Sequence, residues 1–81
     1  MMITGRQIRE ARQMLGWSLA TLAAHAEIPE VAIARAEGID DTPGIMLEQG
    51  RRLQTVFEQA GIGLIEGAGV IRVEAIPRPV P

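Results

Sequence analysis

The sequence predicts a mostly α domain, four short helices followed by a small C-terminal β-hairpin. Three observations carry that expectation. Apolar residues recur at three- and four-residue spacing from Ile8 to Ala60. Capping and stop residues (Thr4, Gly16, Ser18, Pro29, Gly38, Pro43 and Gly61) cut this pattern into four helix-sized pieces. After Gly61 the stretch "IGLIEGAGVIRVEAI" changes to a strand-like period around Gly67-Ala68-Gly69.

The first helix begins at Thr4, because "TGRQ" is a Thr-x-x-Gln capping box in which Gln7 can reach back to the cap. Ile8, Ala11 and Leu15 share its apolar face, Arg6, Arg9 and Gln13 point to solvent, and Arg12 leans on the apolar side. Gly16 stops it. Ser18 caps the second helix, whose buried stripe is Leu19, Leu22, Ala23 and Ala26, and Glu27-Ile28 form the turn. Pro29 suits the first position of a third helix, residues 29–37, where its missing N–H costs nothing. Ile33 and Ala36 mark that helix's inner side, with Glu37 beside them. Glu30, Val31, Ala34 and Arg35 share the opposite side.

Thr42-Pro43 reads as the start of a fourth helix extending to Ala60, with Met46, Gly50, Leu53, Val56, Phe57 and Ala60 as its stripe. Gly50 in mid-helix costs about 1 kcal/mol relative to Ala, which the close approach of another helix would offset. The expected organisation is a helical domain over 1–61, a hairpin over 62–76 that packs on it or dimerises, and a frayed tail over 77–81, "PRPVP".

Composition narrows the functions. The chain has 81 residues, 47% of them hydrophobic but with one Trp, one Phe and no Tyr, so its core is aliphatic and alanine-rich. It has no Cys and one His, His25. Thiolate metal sites, disulfides and cysteine nucleophiles are excluded, and His25 alone assembles no familiar zinc site. There is no Ser-His-acid set and no phosphate-cradling loop, so the expectation is a non-enzyme with no metal and no cofactor. No apolar run is long enough to cross a bilayer and no leader pattern is visible, which predicts a cytoplasmic protein. Net charge is −2. Residues 1–26 carry Arg6, Arg9 and Arg12 against Glu10, whereas 27–42 carry Glu27, Glu30, Glu37, Asp40 and Asp41 against Arg35.

These residues carry a resemblance. Over residues 4 to about 61 the chain resembles the helix-turn-helix domain of the Cro/C1-type (xenobiotic response element) transcriptional regulators, in a short stand-alone form. The matching residues are "IREARQMLGWS", Leu22-Ala23, Ile33, Glu37-Gly38 and Thr42-Pro43. The resemblance implies a lambda-repressor-like fold, double-stranded DNA as partner and a homodimer that reads the major groove with the third helix. It implies a structural salt bridge between Arg12 and Glu37, the two charges that lean on apolar faces. The residues it places at DNA are Ser18, Leu19, Pro29, Glu30, Val31, Ala34, Arg35 and Thr42. Of these, Arg35 suits guanine, Val31 a thymine methyl, and the helix starts at Ser18 and Thr42 suit phosphates. The chain departs from the family at Leu19, where glutamine is common, at Glu27, where glycine is common, and at Pro29-Glu30 and Asp40-Asp41, where neutral polar or basic residues are common. Those acids would face a duplex that carries one charge per ~1.7 Å of axis. The competing expectation is a degenerate helix-turn-helix that binds a protein partner, antitoxin-like or otherwise, with little or no DNA binding.

Overall fold

The computed structural model describes residues 2–39, 45–65 and 69–72. They form α1 (Gly5–Met14), α2 (Leu19–Ala26), α3 (Glu30–Glu37), α4 (Leu47–Gln59), β1 (Ile62–Leu64) and β2 (Val70–Arg72). The two strands pair antiparallel, with Gly63 opposite Ile71 and Leu64 opposite Val70. Of the turn expected around Gly67-Ala68-Gly69, residues 67 and 68 lie outside the described residues, as do residue 66, residues 73–76 and the tail over 77–81.

Local chemistry sets most of the boundaries. The Gln7 N–H donates to Thr4 Oγ1 at 3.2 Å and the Thr4 N–H to Gln7 Oε1 at 3.0 Å, the reciprocal pairing that starts α1. Gly16, at φ +69°, ends it, and the Trp17 N–H returns to the Arg12 carbonyl at 3.0 Å. Ser18 Oγ accepts from the Thr21 N–H at 3.0 Å and starts α2. Among the described residues, Glu27 is the one non-glycine with positive φ (φ 55°, ψ 45°); it closes α2 while the Ile28 N–H bonds the Ala23 carbonyl at 3.2 Å.

Two starts differ from the sequence reading. Pro29 is not the first helical residue. It sits just before α3 with extended ψ of 135°, and its carbonyl accepts from the Ala32 and Ile33 N–H groups, so α3 begins at Glu30. Likewise α4 begins at Leu47, because Met46 is extended (ψ 148°) and its carbonyl takes the first helical bond from Gly50. Thr42 and Pro43 lie outside the described residues. Met46 is consequently 69% exposed instead of lying on the buried stripe.

The core draws Ile8 and Ala11 from α1, Leu22 and Ala26 from α2, Ile33 and Ala36 from α3, Leu53 and Phe57 from α4, and Ile62 from β1. Each large aliphatic or aromatic side chain so buried contributes about 1.5–3 kcal/mol. Ile3 and Ile28, which lie outside the helices, are buried with them. Gly50 does admit a close neighbour, but not a helix: Ile3 and Ile45 side chains lie 3.4 and 3.6 Å from where its Cβ would stand. The cap residue Gln7 is itself buried, and its Nε2 donates to the Ile65 carbonyl at 2.7 Å. One side chain therefore starts α1 and ties the hairpin to it.

Gly5 marks the tightest approach. A Cβ there would collide with the backbone carbonyl oxygens of Ala36 and Ile39, so α1 lies directly against the C-terminal end of α3. Neither carbonyl can swing away as a flexible side chain would. Gly5→Ala is expected to lower unfolding free energy in urea by about 2–4 kcal/mol. Gly16→Ala, where a Cβ meets open space but φ is positive, should cost only about 1–2 kcal/mol. Equal losses at the two positions would contradict the close α1–α3 packing.

Candidate functional site

Seven of the eight residues of α3 fall into two environments, with Ala32 partly buried between them. Ile33, Ala36 and Glu37 are buried, while Glu30, Val31, Ala34 and Arg35 are exposed together. Val31 is 65% exposed, a large apolar side chain in water. The Arg35 guanidinium makes no hydrogen bond or ion pair with any described residue.

The inner end of α3 is fixed by arginines of α1. Arg12 Nε and Nη2 donate to the two carboxylate oxygens of Glu37 at 2.8 and 2.9 Å, a bidentate pair, and Arg12 Nη1 donates to the Trp17 carbonyl at 3.0 Å. The hydrogen-bonded carboxylate raises the Arg12 pKa above its ordinary value, against the opposing pull of burial. Arg9 Nη1 donates to the Glu37 main-chain carbonyl at 2.7 Å. Arg9 is therefore half-buried and engaged, not a solvated outward residue as its position on the wheel suggested. A helix C-terminus attracts cations, and this one receives two.

The remaining site candidates are scattered in role. Ser18 is exposed at the start of α2, with its oxygen used by the cap and by Thr21 Oγ1 at 2.9 Å. Leu19 packs partly buried against the core, and Pro29 is exposed beside Glu30. Thr42 lies outside the described residues, as do Asp40 and Asp41.

Sequence reasoning missed the device that holds the α2–α3 turn. Arg52 Nη1 donates to the Glu27 carbonyl at 3.0 Å while Nη2 reaches the Glu48 carboxylate at 2.6 Å. The Glu48–Arg52 spacing of four residues was visible as a helix pair, but the reach to Glu27 depends on how α4 crosses α2. His25 is exposed and stacks on Trp17, with ring centroids 4.5 Å apart and planes 7° from parallel. Among the described residues no cluster of three or more His, Asp and Glu could hold a metal ion, and no helix is long and apolar enough to cross a membrane.

Comparison with protein-family models, with curated proteins and with solved structures returned no match to this chain.

Two stability measurements probe the site. Arg12→Met strands a nearly buried carboxylate and should cost about 2–3 kcal/mol, and adding Glu37→Leu should recover most of that loss. A double variant less stable than the single one would deny the pairing. Glu27→Gly keeps the carbonyl that Arg52 holds and removes the left-handed penalty. It should raise the urea midpoint, by up to about 1 kcal/mol of stability.

Proposed function

We propose that this chain is a sequence-specific DNA-binding regulator of the lambda-repressor-like, helix-turn-helix kind, working as a homodimer that presents α3 to the major groove. The observation that carries the reading is the α3 face. Glu30, Val31, Ala34 and Arg35 project together from a helix whose other side and C-terminal end are locked to α1. A recognition helix needs this combination of rigid mounting and uncommitted donors, because bases are read only by groups held in register. The Arg35 guanidinium, unpaired among the described residues, matches the paired acceptors of guanine, and the exposed Val31 matches a thymine methyl. Glu30 sits in the first turn of α3, where a carboxylate favours the helix dipole, and there it repels phosphate. One such face offers few contacts, so two half-sites about a helical turn apart are required.

The exposed Val31 also favours a second reading, in which α3 docks a protein and the scaffold reads no DNA. Apolar area and a flanking acid suit that as well as they suit a thymine.

Gel-shift titration with fragments that include DNA upstream of the chain's own gene separates these readings. Retention is expected at about 50 mM salt, with a steep loss by about 200 mM. Arg35→Ala should remove about 1–3 kcal/mol of sequence discrimination. Glu30→Gln should strengthen binding to all sequences alike. Absence of retention of any fragment at the lower salt would sink the DNA reading and leave the protein-docking one.

A further inference from the structure

A separate site lies between the C-terminal end of α2 and the outer side of α4. It is an open groove of about 450 Å³, and none of its lining residues is on α3. That volume is within the range of small-molecule sites. Ala26 and Val56 give it an apolar floor. His25 lines it and stacks on Trp17, which is not among the lining residues.

The charges around it are unequally committed. Arg52 is engaged by Glu48 and by the Glu27 carbonyl. Arg51, its neighbour on the groove, makes no hydrogen bond or ion pair with its guanidinium among the described residues. Glu27 also lines the groove, so its negative charge would repel a ligand with several negative charges that Arg51 attracts. The lining therefore combines an imidazole, an arginine whose guanidinium is uncommitted among the described residues, and two apolar side chains.

We propose that this groove binds a planar aromatic molecule carrying a single carboxylate, with its ring against His25 and its carboxylate on Arg51. A guanidinium pairs a carboxylate through two parallel hydrogen bonds, and an aromatic plate prefers an offset-stacked partner. A bare anion satisfies only one of these two features, and a saturated ring satisfies the stacking feature poorly. The site does not depend on what α3 contacts, so it stands or falls apart from the DNA reading.

Benzoate is the probe, titrated into the full chain and followed by two-dimensional amide NMR. Shifts are expected to concentrate at His25–Glu27 and Arg51–Val56. Cyclohexanecarboxylate should bind about fivefold more weakly, and inorganic phosphate should leave these amides unmoved. Arg51→Ala should weaken benzoate about tenfold, and Arg51→Lys should recover part of that loss. His25→Ala should weaken it about fivefold. Both side chains are surface groups, so a native-like amide spectrum is expected for each variant and confirms that any loss belongs to the site. Shifts centred elsewhere, equal binding of phosphate, or unchanged affinity in both alanine variants would overturn the assignment.

Discussion

The contact between α1 and the last turn of α3 governs the rest of this small structure. Three features of α1 converge on it. Gly5 lets the backbones touch, Arg9 takes the Glu37 carbonyl, and Arg12 takes the Glu37 carboxylate in a two-pronged grip. A nearly buried carboxylate without a partner costs several kcal/mol, so the fold tolerates Glu37 only while Arg12 stays in place. The arrangement is therefore selective as well as cohesive. Rotating α3 about its axis would expose Ile33 and Ala36 and break both arginine contacts at once. That is why a helix of only eight residues, too short to persist alone, presents a fixed outer face.

The opposite end of α3 is held by different means. Its entry depends on Glu27 in the left-handed region, a conformation that costs a non-glycine about 1–2 kcal/mol. Arg52 and the burial of Ile28 offset that cost from two directions. In the proposed regulator this asymmetry has a consequence. The C-terminal end of the reading helix is anchored in the core, while its N-terminal end hangs from a strained turn beside acids. A duplex would have to approach Glu27 and Glu30 to reach Arg35, so sequence discrimination would rest on few groups and affinity on low salt or a second copy.

What the sequence revealed followed physical range. Thr4, Gly16 and Ser18 act within three to five residues of themselves, and their roles were readable from spacing. So was the division of α3 into inner and outer faces, because helical periodicity is local. Residues acting across the chain were not. Arg9 looked like surface charge because nothing within a turn of it says that the Glu37 carbonyl is 2.7 Å away. Gln7 looked like a cap alone, although its amide also holds Ile65, 58 positions distant. Thr42-Pro43 carried the familiar signs of a helix start, yet the extended backbone of Met46 delays α4 to Leu47. Gly50, in the first turn of α4, is buried against Ile3 and Ile45, and that contact is invisible locally.

The hairpin shows the same dependence in reverse. Two strands of three residues cannot hold together alone in water. Here Ile62 is buried in the same core as Phe57 and Leu53, Leu64 and Val70 pack partly against it, and Gln7 bonds the backbone next to the turn. The described strands pack on the helical body, one of the two arrangements expected for the hairpin. They close one side of its core, and unpairing them would expose Ile62 and leave the buried Gln7 amide without its acceptor. A second copy that sought this hairpin would have to add to its outer edge or face and leave the strand pairing intact, because removing a strand would undo the helical body that mounts α3.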